Sequence, residues 1–431
     1  MHRLAAGMLA FALCIGAAPA LAVEQSVLRD KVAALEPKLI EWRRDIHQHP
    51  ELSNREFRTA ALVAEHLQSL GLEVRTGIAH TGVAAFLQGG RPGPMVALRA
   101  DMDALPVTEQ TGLPFASTAI GEYAGKEVGV MHACGHDAHT AILMAAAELL
   151  AGMRDELPGS VLFIFQPAEE GAPPGEEGGA ELMLKEGLFE WKKPDAVFGL
   201  HVLSGLTAGR IGYRPGPTMA AADRFEITVR GAQTHGSMPW LGVDPIVPAA
   251  QIVLGLQTIA SRQVDISHMP AVISVGQIHG GIRNNIIPDE VYLEGTIRTF
   301  DEGMRNSIHE RVARTAAGLA EASGAEAHVH IDLGYPVTVN DPELVAASLP
   351  SLRRAAGEDR VFEVPLLMPA EDFSYYANEV PGFFFFLGAT PEGVDPAKAP
   401  TNHSPLFDVD ESTLSVGVEA LATLALDFLG R

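Results

Sequence analysis

Three short apolar runs, each ending in a polar cluster, set the tightest limit on what this chain can become. "PMVALRADMD" ends at Asp101 and Asp103, "SVLFIFQPAEE" at Glu169 and Glu170, and "DAVFGLH" at His201. Runs this short and continuous suit strands buried on both faces, as in a mostly parallel sheet, and helical stretches such as "TAILMAAAELLAG" separate them. Open α/β sheets bind ligands beyond the carboxyl ends of their strands. All three polar clusters fall there.

From about Ala220 the pattern changes. "DRFEITVRG" reads as a strand, "DPIVPAAQIVLGLQTIASR" as a helix, "AVISVGQIHGG" and "EVYLEGTIRTF" as strands, "DEGMRNSIHERVARTAAGLAEASG" as a helix and "EAHVHIDLG" as a strand. That βαββαβ order is the ferredoxin-like plan. Near Tyr335 the chain returns to the first pattern, with "LLMPAEDFSYY", "GFFFFLG" and "TNHSPLF". The expected fold class is α/β: a mostly parallel catalytic domain in two parts, residues 23–217 and 334–431, with a ferredoxin-like domain inserted over 218–333.

The first 22 residues stand apart. His2 and Arg3, an apolar run and Ala20-Leu21-Ala22 follow the plan of a cleavable export signal, cut after Ala22. A membrane anchor is the alternative, but the run is short for a span. The expected destination is the periplasm or the exterior. Cleavage removes Cys14 and leaves Cys134 as the sole thiol, with no disulfide partner in the chain. A formal charge of −23 argues against nucleic acid and against anionic membrane as partners.

Cys134 lies in "MHACGHDAHT", two residues before His136. In an extended loop the two side chains share a face, and thiolate and imidazole both bind zinc-like ions. A buried structural cysteine or a nucleophilic cysteine would explain the pair equally well. Glu169-Glu170 adds a carboxylate for a metal and, pointing the opposite way on an extended segment, one for the substrate. His201 at a strand end and His403 in a turn would each be structural if taken singly. Together, one thiol, three imidazoles and one carboxylate are too few for two closed four-coordinate sites. They suit an open centre of two ions with one shared ligand and water. A bridging Cys134 thiolate would account for the lone cysteine. Glu169 would take a proton from the activated water and pass it to a leaving amine.

With these motifs in order, the chain resembles the amidohydrolase branch of the metallo-exopeptidase and aminoacylase superfamily, which includes hippurate and plant auxin-conjugate hydrolases. "RRDIHQHPELS", "LRADMDALP", "MHACGHDAH", "QPAEEG", "GLHV", "NNIIPD", "EGTIRT", "AEDFSYY" and "NHSP" carry the resemblance over nearly all of residues 23–431. It implies Cys134, His136, Glu170, His201 and His403 as metal ligands and Glu169 as general base. It further implies that His235 reaches a partner subunit's site to stabilise an oxyanion, and that Asn285 and Arg298 face the substrate. The implied cofactor is two divalent ions, zinc, manganese, nickel or cobalt. The implied substrate is an N-acyl amino acid, or a dipeptide if the enzyme is a dipeptidase or carboxypeptidase. The implied assembly is a homodimer through the lid. Asp101 is not expected to be a ligand, and Asp103 is expected to orient one. His47, His49, His132 and His139 are left as structural or supporting. Trp240, and Ala370 before Glu371, depart from the pattern and bear on pocket shape. A solute-binding protein without catalysis is disfavoured because Glu169, needed only for turnover, is present.

Overall fold

Successive side chains on a strand point to opposite sides, so a continuous apolar strand feeds two cores at once. In the computed structural model, which describes residues 25–431, the chain does this repeatedly. Phe383 and Phe385 join one core and Phe384 and Phe386 the other; Phe163 and Phe165 oppose Leu162 and Ile164 in the same way. The first core is covered by helices Gln25–Gln48, His136–Ala151 and Leu414–Leu429, the second by the shorter Gly179–Lys185 and Phe373–Glu379. Leu414–Leu429 belongs to a segment apolar enough to cross a membrane, yet 72% of that segment's window is buried in the fold. The expected export signal lies outside the described residues.

The sheet has eight strands. Edge to edge they are Glu73–Ile78, Gly82–Gln88, Pro158–Gln166, Arg91–Asp101, Ala196–Thr207, Gly382–Thr390, Ile211–Tyr213 and Val361–Glu363. The four central strands, Pro158–Gln166 through Gly382–Thr390, are mutually parallel, and antiparallel strands flank them. Sequence-distant segments are thereby set side by side: Gly382–Thr390 pairs with Ala196–Thr207 although more than a hundred residues separate them.

Residues 221–333 form a second sheet in the order Ala271–Gly280, Glu290–Thr299, Ala221–Arg230, Glu326–Leu333, all pairs antiparallel. Helices Ile246–Thr258 and Glu302–Glu321 bury Ile252, Leu256, Ile308 and Val312 against Phe225, Ile227 and Leu293 of this sheet. A short ribbon pairs Thr234–His235 with Ile286–Ile287. Arg305 and His309 grip the buried Asp223 at 2.9 Å and 2.7 Å, tying the helix Glu302–Glu321 to the start of strand Ala221–Arg230.

Candidate metal centre

Four separate chain segments meet at the carboxyl ends of the central strands. Cys134 Sγ lies 3.3 Å from His201 Nε2. Donor atoms of Cys134, His136 and His201 form one group within 4.8 Å, those of Cys134, Glu170 and His403 a second, and those of His136, Glu169 and Glu170 a third. The five side chains expected as ligands, and Glu169, therefore share one place.

Local geometry differs from the sequence reading at three points. Cys134 and His136 do not share a face by strand alternation. Gly135 turns between them at φ 95°, and His136 opens a helix. A Cβ at Gly135 would lie 2.2 Å from Val202 Cγ2, so both the dihedral and the space require glycine. Glu169 and Glu170 do not point oppositely along an extended segment. Ala168 at φ 52° starts a turn that brings a carboxylate oxygen of each within 4.8 Å of a His136 ring nitrogen. His201 does not end its strand, which continues to Thr207. It lies just past Gly199, the last residue paired with Arg91–Asp101, so the sheet is open on that side.

Second contacts fix which nitrogen of each ring is free. His136 Nδ1 faces Asp103 O at 2.8 Å and Asp103 Oδ1 at 3.1 Å, leaving Nε2 as the donor atom. His201 Nδ1 donates to Val202 O at 2.7 Å, so its Nε2 lone pair faces Cys134. His139 is different. It bonds Asp101 Oδ1 at 2.6 Å through Nδ1 and accepts from Val202 N at 2.8 Å through Nε2, so neither nitrogen remains for an ion. Asn402 donates to Cys134 O at 3.2 Å and Val202 O at 3.1 Å, binding the His403 turn to two ligand-bearing segments.

The donor set fits divalent cations on the structure's own terms. His136 Nε2 and Glu170 Oε1 are buried without a hydrogen-bond partner and lie 4.0 Å apart. Buried polar atoms are rarely left so, and such orphans call for a missing partner. His403 Nε2 stands 3.1 Å from the same Glu170 oxygen without hydrogen-bond alignment. Burial, then the Glu170 and Glu169 carboxylates, push the Cys134 thiol far above its usual range, so a thiolate here needs a positive neighbour. Burial disfavours charge on His136, yet Asp101 and Asp103 outweigh it and hold the ring up to about 10; the site asks for positive charge at Nε2. Burial and His139 depress His201 well below its usual value, which leaves the neutral ring a ligand requires.

A cavity of about 220 Å³ opens onto this centre. Cys134, Glu169, Glu170, His201 and His403 line its polar end, and Leu203, Met219, Leu367 and Phe386 its apolar wall. Burial, with Glu371 and Glu170, raises Glu169 well above the usual carboxylate range, as suits a proton acceptor. Ala370 lines the cavity; Trp240, 74% exposed, does not.

The remaining sequence candidates sit elsewhere. His235 and Asn285 are exposed neighbours on the ribbon, where Gly236 N donates to Asn285 O at 2.8 Å. Arg298 lies half-buried in strand Glu290–Thr299, bonding Ile297 O and Thr296, with no ion pair among the described residues. None of the three lines the cavity, whose walls come entirely from outside 221–333.

Sequence reasoning missed the buried network beneath the base. Arg99 reaches Asp101 at 2.6 Å and both Glu371 and Asp372 at 2.9 Å. The signal was in "AEDFSYY", an acid pair between apolar segments, but only the fold shows what it pairs with.

The comparisons agree with this geometry. Residues 97–427 match the Peptidase family M20/M25/M40. Thermostable carboxypeptidase 1 of Saccharolobus solfataricus is 41% identical over 406 residues, 94% of this chain and 98% of that one. An N-acyl-L-amino acid amidohydrolase of Geobacillus stearothermophilus is 44% identical over 305 residues, 71% of this chain and 78% of that one. The crystal structure of the Bacillus subtilis YXEP protein, described as a dinuclear metal binding peptidase, superposes with a TM-score of 0.76 at 37% identity, covering 91% of this chain and 98% of that one. With this family match and these relatives, the chain belongs to peptidase family M20/M25/M40.

Proposed function

We propose that the protein is a metal-dependent amidohydrolase that cleaves the amide of N-acyl amino acids. The observation that carries this is the pair of orphaned donors, His136 Nε2 and Glu170 Oε1, beside a cavity that Glu169 also lines. Cys134, His136, Glu170, His201 and His403 would hold two divalent ions. When bound, the ions supply an acidified water and a polarised carbonyl. Glu169 takes a proton from the water and returns it to the leaving nitrogen. The apolar wall at Leu203, Met219, Leu367 and Phe386 suits an acyl group. Arg298, with no ion pair among the described residues, suits the α-carboxylate once the lid closes. A dipeptidase or carboxypeptidase would use the same centre, and the 41% identical thermostable carboxypeptidase favours keeping that second reading.

The assembly proposed is a homodimer through the lid. Its support is the edge position of strand Ala271–Gly280, with Val272, Ile278 and, on the neighbouring helix, Leu254 exposed. His235 would then act in the partner's site. Export rests on the first 22 residues.

The test is Glu169→Gln. The variant should keep the wild-type metal content and lose at least about a hundredfold in kcat on N-acyl amino acids. EDTA should abolish wild-type activity and added divalent ions restore it. Full activity in the variant, or activity indifferent to chelation, would remove the reading.

A further inference from the structure

Three acids lie around the buried Arg99 beside the base, and they differ in how far they are satisfied. Asp101 has one oxygen on Arg99 and the other on His139. Asp372 accepts from Gln166 Nε2 at both oxygens, and from Ala180 N at 2.8 Å. Glu371 is only half engaged. One oxygen accepts the Phe373 N–H at 3.0 Å and forms an ion pair with Arg99 at 2.9 Å, while Oε2 has no partner although the side chain is 1% exposed. Glu371 lines the same cavity as Glu169, and carboxylate oxygens of the two lie within 4.8 Å of each other. A buried acceptor is costly to leave empty, so the free oxygen on this cavity-lining residue calls for a donor.

We propose that Glu371 is a further catalytic residue, whose free oxygen accepts the N–H of the scissile amide and holds the leaving nitrogen against Glu169. A carboxylate oxygen of each residue lies within 4.8 Å of the other, so both carboxylates can reach one nitrogen placed between them, since each N···O contact is about 2.8–3.0 Å. As water oxygen bonds the carbonyl carbon, one water proton passes to Glu169. The C–N bond then breaks as the nitrogen takes that proton, and the amine leaves with its original hydrogen on Glu371 and its new one facing Glu169. The acid product keeps the other water proton until it ionises in solvent. Positive character grows on the nitrogen during this step, so the Glu371 contact strengthens toward the transition state. Rigid anchoring by Arg99 and the Phe373 amide holds the acceptor ready.

This inference rests on the amidohydrolase reading, and substrates that differ only in the N–H separate the two. An N-acyl amino acid is compared with its ester isostere, the O-acyl 2-hydroxy acid. Glu371→Gln keeps an oxygen for Arg99 and Phe373 but turns the free acceptor into an NH₂ donor. Expected are unchanged metal content, a kcat loss of at least about tenfold on the amide, and at most about threefold on the ester. Equal losses on both substrates, or no loss on the amide, overturn the proposal while leaving the amidohydrolase reading intact. Wild-type protein inert toward amides overturns both. Should the variant not fold, wild-type inhibition decides: the product amino acid should bind at least fivefold more tightly than the matching carboxylic acid without the amino group, and equal binding rejects the role.

Discussion

At the scale of single residues, the candidate centre is ordered because its donors are fixed through their other ends. His136 is held by Asp103, His201 by the Val202 carbonyl, and the His403 turn by Asn402. Cys134 is the proposed ligand without a substitute, since no other thiol lies among residues 25–431. Cys134→Ala should therefore bind fewer than two ions per chain by elemental analysis, and retention of two ions would end the bridging role. The residue types were legible in the sequence because thiolate, imidazole and carboxylate at strand ends are a chemical signature. Their partners were not. Arg99 and Asp372 are 273 positions apart, and nothing local to either predicts that they meet.

At the scale of elements, alternation along the strands was readable, whereas the turns were read as extended. Gly135 and Ala168 both adopt positive φ, and it is these left-handed residues that aim His136, Glu169 and Glu170 inward. Gly135→Ala should lower metal affinity and melting temperature together, because the added Cβ meets Val202 on the segment carrying His201. An unchanged affinity by chelator competition would refute that account. Phe384, wholly buried between Phe373 and Phe386, should cost about 3–5 kcal/mol when cut to alanine, measured by denaturant unfolding. In the inserted sheet, burial works against the Asp223 carboxylate, but Arg305 and His309 outweigh it and draw it down to about 2. A depressed folded pKa stabilises above the unfolded value near 3.8, and that contribution fades as pH falls through about 2. The melting-temperature gap between wild type and Asp223→Asn should accordingly narrow from pH 4 to pH 2; a constant gap would deny the ion pair its role.

At the scale of the whole molecule, one chain presents the five donors and the base but not His235, Asn285 or Arg298 at the cavity. The proposed dimer makes a specific demand. Glu169→Gln and His235→Ala proteins, each inactive alone, should regain activity after subunit exchange, because one hybrid site then holds both groups intact. No recovery with exchange verified by mass spectrometry would place His235 in its own subunit or outside catalysis.

The strand order carries one more consequence. Gly382–Thr390 slots beside Ala196–Thr207, and His403 follows it, so the last of the five donors is made only after the other four. No partial product can assemble the complete trap for ions.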